Sequence, residues 1–209
     1  MVIEHTTSTK LLRRAYDVWS HCYDWVAPLE HGPRLEALAM TQLQLGERVA
    51  DIGCATGAMA KRMRELVGRD GFVVSIDLSH QMVRQAPGPR AEADTRQLPI
   101  ADGSFEVVFS AYVLDLLPLK DIPLALRELH RVLRPGGRIV LLNMTKRDPS
   151  RWQAMEWLYQ WLPRFVVAYL LGACRPVFLL EMTKDAGFRQ VERRLLRGPM
   201  PSEVVTAVR

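Results

Sequence analysis

Short apolar runs alternate with helical patterns through the middle of the chain, and this alternation predicts an α/β fold. Four mostly apolar runs are typical of buried strands: 48–53, 72–77, 105–110 and 138–143. Three other segments have apolar residues at three- and four-residue steps and are predicted helices: 58–67, 79–85 and 121–133. Because strands and helices alternate, we expect a doubly wound, mainly parallel sheet.

Further elements are predicted on both sides of this region. Apolar residues between Leu11 and Trp25 recur at helical spacing, which predicts one amphipathic helix that must lie on the rest of the fold. A second helical stretch covers 34–45. Beyond residue 146, the patterns predict helices and then the two strands of an antiparallel hairpin: 151–172, 177–186, 188–196 and 203–208.

Length and composition place the chain among ordinary globular proteins. Hydrophobic residues make up 48% and charged residues 24% of its 209 residues. The longest apolar run, 165–174, is half of the roughly 20 residues that a membrane-spanning helix needs, and residues 1–10 lack an apolar signal core. Three cysteines cannot form a fully paired disulfide framework, and none has zinc-site spacing. We therefore expect a cytoplasmic location and no metal.

The net charge of +5 could indicate a nucleic-acid partner, so its distribution matters. Residues 146–209 carry 11 Lys and Arg against 6 Asp and Glu, whereas residues 1–145 are balanced. The basic segment contains apolar and aromatic residues but no motif that stacks on bases. No nucleic-acid partner is predicted. Two interpretations stay open, a peripheral membrane contact and a merely solvated face, and the oligomeric state is undetermined.

A turn rich in small residues follows the first predicted strand, and it is the first indication of a ligand. Gly53, Ala55 and Gly57 allow the backbone to approach a ligand closely, although such turns also serve packing alone. Asp77 ends the next strand and could accept hydrogen bonds from ribose hydroxyls. Asp51 would repel a pyrophosphate but suits an ammonium group, which favours S-adenosylmethionine over NAD.

Four segments in order resemble the motifs of class I S-adenosylmethionine-dependent methyltransferases. They read Val-Ala-Asp-Ile-Gly-Cys-Ala-Thr-Gly at 49–57, Val-Ser-Ile-Asp-Leu-Ser at 74–79 followed by Met82, and Ala-Asp-Thr-Arg-Gln-Leu-Pro-Ile-Ala-Asp-Gly-Ser-Phe at 93–105. The fourth is Arg-Val-Leu-Arg-Pro-Gly-Gly at 131–137. Over about residues 10–209 the chain is similar to the ubiquinone and menaquinone C-methyltransferases. The resemblance implies a Rossmann-like, seven-stranded sheet with an antiparallel C-terminal hairpin.

The resemblance also implies a set of residues that bind S-adenosylmethionine, with S-adenosylhomocysteine as the product. Those near the methionine portion would be Asp51 on the amino group, the turn residues Gly53, Cys54, Ala55 and Gly57, and Ser110. Those near the adenosine portion would be Asp77 on the ribose, Leu78 and Met82 along the adenine, and Asp94 and Thr95 at its edge. Ala55 departs from the family, which usually has glycine there.

Few catalytic residues are needed, because the methyl group of a sulfonium is already activated and must mainly be aligned with its acceptor. For a phenolic or hydroquinone acceptor, Asp115 is the best candidate for a general base, although it could equally cap the next helix. Tyr16 and His21, in the N-terminal helix, are further catalytic candidates. Tyr16 and Tyr23, with Trp152 and Tyr159 from the aromatic C-terminal helices, are predicted to bind the substrate.

Together these observations predict one domain, 1–209, with four parts. The parts are N-terminal lid helices (10–45), a cofactor-binding core (46–145), substrate-side helices (146–186) and a C-terminal hairpin (187–209). The predicted function is methyl transfer to a hydrophobic small molecule, most simply a quinone-type or other aromatic or lipid acceptor. Alternatives are N-methylation of a phospholipid amine, O-methylation of a natural product, and a catalytically silent cofactor-binding module. An RNA methyltransferase is disfavoured by the absence of an Asn/Asp-Pro-Pro-Tyr-type motif.

Overall fold

Seven strands form one sheet in the computed structural model, which describes residues 7–26, 28–146, 161–196 and 201–209. The strands are β1 (Arg48–Ile52), β2 (Phe72–Asp77), β3 (Arg90–Glu92), β4 (Phe105–Ala111), β5 (Leu133–Met144), β6 (Arg189–Leu196) and β7 (Ser202–Val208). Their order is β3-β2-β1-β4-β5-β7-β6. Strands β1 to β5 pair in parallel, and β7 runs antiparallel to both β5 and β6. The predicted Rossmann-like fold with its C-terminal antiparallel hairpin is therefore confirmed.

Eight α-helices accompany these strands within the described residues. They are α1 (Thr9–Trp19), α2 (Tyr23–Val26), α3 (Pro28–Met40), α4 (Ala58–Val67), α5 (His80–Val83), α6 (Ile122–Val132), α7 (Arg164–Leu171) and α8 (Leu179–Asp185). Two 3-10 turns, Leu114–Leu116 and Leu119–Asp121, connect β4 to α6. Apolar side chains of α3 and α4 fill the core on one face of the sheet, and those of α6 and α8 fill the other. Both faces of the central strands are thus covered, as parallel sheets require.

The strands predicted from apolar runs match the structure closely, and the exceptions have physical reasons. Strand β3 has no apolar run, because it has only three residues and both Arg90 and Glu92 are exposed. Strand β5 begins at Leu133, five residues before the predicted strand, because Leu133 pairs with Phe105 ahead of a register shift. The turn predicted for the C-terminal hairpin lies outside the described residues.

The N-terminal region differs from the single continuous helix that its pattern predicts. Helix α1 ends at Trp19, where the Ser20 hydroxyl donates to the Asp17 carbonyl oxygen at 2.7 Å and competes with helix continuation. The chain then turns into α2, and α3 starts at Pro28 rather than at residue 34. None of the described helices is both long and apolar enough to cross a membrane.

Helix α1 is held between the sheet and α7. Its Leu12 and Ala15 side chains are buried. On the α7 side, the Tyr16 hydroxyl donates to the Gly172 carbonyl oxygen at 3.0 Å, and the Trp19 indole donates to the Tyr169 carbonyl oxygen at 2.7 Å. These contacts place α1 across the carboxyl ends of the parallel strands.

Candidate active site

A cleft lies at the carboxyl ends of β1, β2 and β4 and contains about 850 Å³ of empty space, including its mouth. The turns after these three strands form its floor, and α1 and α3 form one wall. In open parallel sheets, ligands bind at this edge, where neighbouring strands send their chains to opposite faces. The topology alone therefore marks the cleft as the binding site.

The turn between β1 and α4 contributes Gly53 and Ala55 to the cleft wall. Gly53 has φ +69°, and a side chain there would collide with Val113, so glycine is needed. Gly57 and Cys54 have packing roles instead. A Cβ on Gly57 would collide with Ala86 and Pro87, and Cys54 is buried beside Ala86. Sequence analysis correctly identified the turn, and the structure separates its lining residues from its packing residues.

Asp77 lies at the end of β2 and lines the cleft. Its carboxylate accepts backbone N–H groups from Ala55 at 2.9 Å and Ser79 at 2.8 Å. Burial raises the pKa of Asp77 to about 6, while these hydrogen bonds favour the charged form and act in the opposite direction. Each oxygen retains capacity for another donor, as contact with a ribose would need.

A buried charge cluster lies beside this turn. Arg34, from α3, is 7% exposed and lines the cleft, where its guanidinium contacts Glu30 at 2.7 Å and the Tyr23 hydroxyl at 2.6 Å. Asp51 is buried in β1, and its Oδ2 has no hydrogen-bond partner among the described residues. The pKa of Asp51 is raised to about 7, mainly by burial. The positive charge of Arg34 lowers this pKa, and the negative charge of Asp77 raises it. The Nε of Arg34 is likewise unpartnered within the described chain.

Arg34 and Glu30 were not among the predicted site residues. A pair of opposite charges four residues apart is usually a solvent-exposed helix pair, so this spacing alone does not indicate a site. One signal was available, because Arg34 shares helical spacing with three buried residues, Ala37, Leu38 and Thr41. An arginine on the buried stripe of a helix requires buried partners.

Leu78, Asp94 and Thr95, which are predicted to meet the adenine, all line the cleft. Met82 is fully buried behind that surface, against Ala55 and Tyr23. The Asp94 oxygens accept from Arg96 Nε at 2.9 Å and Nη2 at 2.6 Å. Burial raises the pKa of Asp94, but the Arg96 hydrogen bonds outweigh it and hold that pKa below its usual value.

Ser110 lies near the end of β4 and Asp115 lies in the 3-10 turn that follows this strand, and both are buried. The Ser110 hydroxyl and the Asp115 Oδ1 lack hydrogen-bond partners among the described residues. The Asp115 Oδ2 accepts the Met144 N–H at 2.9 Å. Burial raises the pKa of Asp115 to about 7. Asp115 therefore ties this turn to β5 while retaining one oxygen that could accept a proton.

Apolar and tyrosine side chains form another part of the cleft wall. Leu12, Leu116 and Leu117 line it together with Tyr16 and Tyr23. This part adjoins the part lined by Leu78, because Leu12, Tyr16 and Leu116 pack in one cluster with Leu78. Burial raises the pKa of both tyrosines well above the usual value. They stay protonated at neutral pH and can serve as hydrogen-bonding groups, but they are unsuited to act as bases.

Several predicted site residues do not line the cleft. Six of them are buried behind its wall: Asp51, Cys54, Gly57, Met82, Ser110 and Asp115. His21 is exposed and does not line the cleft, and its Nδ1 lies 3.2 Å from the Val18 carbonyl oxygen. Trp152 and Tyr159 lie outside the described residues. Across the described part of the chain, no group of three His, Cys, Asp or Glu side chains converges to hold a metal ion.

The comparisons with known proteins agree with this geometry. Residues 50–141 match a family described as a methyltransferase domain. The 2-phytyl-1,4-naphtoquinone methyltransferase of Nostoc punctiforme is 31% identical over 169 residues, covering 75% of this chain and 72% of the relative. The chain belongs to the class I S-adenosylmethionine-dependent methyltransferases, of the quinone methyltransferase type. S-adenosylmethionine is the cofactor of this methyltransferase.

Other relatives act on different acceptors, and the methyltransferase spans only part of their lengths. The demethylmenaquinone methyltransferase of Desulfitobacterium hafniense is 28% identical, with 71% of this chain and 61% of the relative covered. The malonyl-[acyl-carrier protein] O-methyltransferase of Serratia marcescens is 32% identical, with 66% and 54% covered. Identity at this level therefore does not distinguish a quinone acceptor from a malonyl acceptor.

Solved structures share the fold at lower identity. The [4+2]-cyclase SpnF has a TM-score of 0.77 and 18% identity, covering 100% of this chain and 98% of that protein. Phosphoethanolamine N-methyltransferase 2 of Haemonchus contortus, in complex with S-adenosylmethionine, has a TM-score of 0.74 and 17% identity, covering 98% and 60%. Since one of these proteins is a cyclase, the shared fold does not determine the reaction.

The backbone of Ala55 generates a prediction about stability. Ala55 has φ +48°, a left-handed conformation that disfavours a side chain by about 1–2 kcal/mol. Relief of this strain should offset the loss of the methyl group in Ala55→Gly. Ala60→Gly removes an equally buried methyl from the regular helix α4 and serves as the matched control. Urea unfolding should show Ala60→Gly to be less stable than Ala55→Gly by at least about 1 kcal/mol; equal losses would show that Ala55 is unstrained.

Proposed function

We propose that this methyltransferase methylates a neutral, quinol-type aromatic acceptor. The observation that carries the proposal is the composition of one part of the cleft wall, which we take as the acceptor end: Leu12, Leu116, Leu117, Tyr16 and Tyr23. That part is apolar apart from two protonated tyrosines. Among the described residues, the cleft is lined by two cations. Arg13 is paired with Glu92, and Arg34 is paired with Glu30 and is assigned below to the carboxylate of the cofactor. An anionic acceptor would need a cation that is available for it.

The cofactor end has the charges that an amino acid requires. Asp51 supports an assignment to the ammonium group of the methionine portion, and the unpartnered Nε of Arg34 supports an assignment to its carboxylate. Buried polar atoms without partners favour a ligand that supplies them. Gly53, Cys54, Ala55 and Gly57 would shape the turn around that portion, with Ser110 beside it.

The adenosine portion would lie along the next two strands. Asp77 would accept from the ribose hydroxyls, and Leu78 would pack on the adenine, with Met82 supporting that surface from behind. Asp94 and Thr95 would meet the edge of the adenine. The presence of Asp77, Leu78, Asp94 and Thr95 in the lining of one cleft supports these assignments.

When bound, S-adenosylmethionine supplies a methyl group that is already activated on sulfur. The chain's own residues then have to orient the acceptor and exclude water. Leu12 and Leu117 cover the acceptor end. The hydroxyl protons of Tyr16 and Tyr23 are donated to Gly172 and Glu30, so their oxygens can orient an acceptor hydroxyl by accepting a hydrogen bond from it. Because both tyrosines stay protonated, the proton of an acceptor hydroxyl must pass to a carboxylate.

We assign that proton to Asp115, and three properties support it. Its pKa of about 7 suits a general base at neutral pH, and its Oδ1 is unpartnered among the described residues. Its charge also influences the pKa of Tyr16 and of Cys174, both of which line the cleft. Glu30 is less suited, because it already pairs with Arg34 and accepts from the Tyr23 hydroxyl at 3.2 Å. Tyr16 then acts as a hydrogen-bonding partner of the acceptor. A catalytic role of His21 stays a prediction, and so does a membrane contact of the basic C-terminal third.

Binding of S-adenosylmethionine should release a proton near neutral pH. The buried Asp51 has a pKa of about 7 and is partly protonated before binding, whereas an adjacent ammonium group favours its charged form. Affinity should therefore rise about tenfold from pH 6 to pH 8. Calorimetry in two buffers of different ionisation enthalpy measures the proton count. Asp51→Asn should abolish most of the release, NAD should not bind, and unchanged release in the variant would contradict the assignment of Asp51.

Replacing Asp115 should separate catalysis from cofactor binding. In the wild type, kcat should rise as pH increases through about 7, because the charged carboxylate is the active form. Asp115→Asn should lower kcat by about 100-fold and remove this limb of the profile, with cofactor affinity unchanged. Asp70→Asn, in an exposed turn, makes the same chemical change away from the cleft and should leave kcat unchanged. A variant with wild-type turnover would show that Asp115 only anchors the Met144 amide.

An acceptor panel tests the proposed substrate class directly. The purified protein is incubated with S-adenosylmethionine and a reduced, prenylated naphthoquinol, a malonyl thioester or phosphoethanolamine, and S-adenosylhomocysteine formation is measured. We expect turnover with the quinol alone, because both other compounds are anionic. Turnover of the malonyl thioester would show that the paired arginines exchange partners for an anion. Turnover of phosphoethanolamine would support the amine alternative instead.

A further inference from the structure

One face of α1 contacts the segments that hold the adenosine end of the cleft. Thr9, Arg13 and Asp17 are spaced four residues apart and lie on the same side of the helix. Thr9 Oγ1 accepts from Arg96 Nη2 at 2.7 Å, and Arg13 forms an ion pair with Glu92. Asp17 accepts from the Ser79 hydroxyl at 2.6 Å. Every contact on this face therefore meets β3 or the segments beside Asp77 and Asp94.

Arg96 is the centre of these contacts. Its Nε and Nη2 donate to both oxygens of Asp94, and Nη2 also reaches Thr9. Its Nη1 donates to Asp121 at 2.6 Å, immediately before α6. One planar guanidinium thus fixes the carboxylate at the adenine end, the first residue of α1 and the start of α6. A lysine ammonium could not span these partners with the same geometry.

A second face of α1 points to the acceptor end. Leu12 and Tyr16 line the cleft there. Tyr16 and Trp19 hydrogen bond to backbone carbonyls of Gly172 and Tyr169, at the end of α7. The helix therefore touches the adenosine end with one face and builds the acceptor wall with the other.

We propose that Arg96 is a positioning residue that couples cofactor binding to assembly of the acceptor wall. Arg96 holds Asp94 for the adenine, and through Thr9 it ties α1 to the same carboxylate. An adenine bound to Asp94 would restrict the motion of that carboxylate and of the Arg96 guanidinium bonded to it. Through its hydrogen bond to Thr9, Arg96 would then keep α1 in place, so that Leu12 and Tyr16 face the acceptor. The inference rests on the proposed function in two assignments, Asp94 as the partner of the adenine and Leu12 and Tyr16 as part of the acceptor wall.

Such coupling has a thermodynamic consequence. If ordering of α1 is shared between the two ends of the cleft, cofactor binding raises acceptor affinity, and the acceptor raises cofactor affinity by the same factor. The coupling can be measured without an acceptor, because the ordering of α1 by S-adenosylhomocysteine can be followed directly through the exchange of its amide hydrogens.

The test is hydrogen–deuterium exchange of the full chain with and without saturating S-adenosylhomocysteine, together with calorimetry. In the wild type, the ligand should slow exchange in 9–19 and in 164–172, as well as beside Asp77 and Asp94. Arg96→Gln should weaken binding by about tenfold and, at saturation, leave 9–19 and 164–172 unprotected. Thr9→Val should remove the same protection with a smaller loss of affinity, about threefold.

Two further variants separate positioning from general destabilisation. Arg96→Lys can still pair with Asp94, so it should recover part of the lost affinity without restoring the protection of α1. Ser8→Ala removes the N-cap of α1, where Leu11 N–H contacts the Ser8 hydroxyl at 3.3 Å. It should speed exchange of 9–19 equally with and without ligand, so that the protection due to the ligand persists.

The outcomes distinguish this inference from the proposed function. Failure of the wild type to bind S-adenosylhomocysteine would reject the placement of the cofactor in this cleft. Binding that protects 9–19 equally in the wild type and in Arg96→Gln would overturn the coupling while leaving the proposed function intact. In a double-mutant cycle, Thr9→Val should have no further effect in the Arg96→Gln background, and additive losses would also overturn the coupling.

Discussion

The site depends on charges that are buried beside one another and must compensate each other. Burying an isolated carboxylate or guanidinium is very unfavourable, so each buried charge needs a partner or a shifted pKa. Arg34 has such partners in Glu30 and the Tyr23 hydroxyl, and its positive charge lowers the pKa of Asp51. The guanidinium also lies 5.7 Å and 5.8 Å from the centroids of the Tyr23 and Tyr112 rings. One arginine therefore joins the N-terminal helices to the carboxyl ends of the sheet.

The remaining charges around the cleft divide it into two environments. Asp77 and Asp94 are fixed by backbone amides and by Arg96, which suits recognition of neutral hydroxyl and amino groups. Near Tyr16 and Tyr23, burial keeps the tyrosines protonated, and it gives the buried Asp115 a pKa near neutrality. The proposed function uses the first environment for the adenosine portion of the cofactor and the second for the acceptor.

Sequence reasoning succeeded where a local pattern has only one structural solution. Buried parallel strands need continuous apolar runs, so β1, β2 and β4 were predicted to within one residue, and Asp77 was placed at a strand end. It failed where distant contacts decide the outcome. The pair of Glu30 and Arg34 is indistinguishable from a surface pair until Tyr23 and Tyr112 cover it, and β3 exists only because β2 offers an edge.

The position of β7 has a consequence for how the molecule reaches its native state. Although β6 comes first in the chain, its partner among the described strands is β7, and β7 lies between β5 and β6. Strand β6 therefore joins the sheet only together with β7 or after β7 has docked beside β5. Such non-local closure is entropically unfavourable until it is complete, which makes this half of the sheet the expected last step of folding. Until then β5 presents an unprotected strand edge, the kind of surface at which partly folded chains associate.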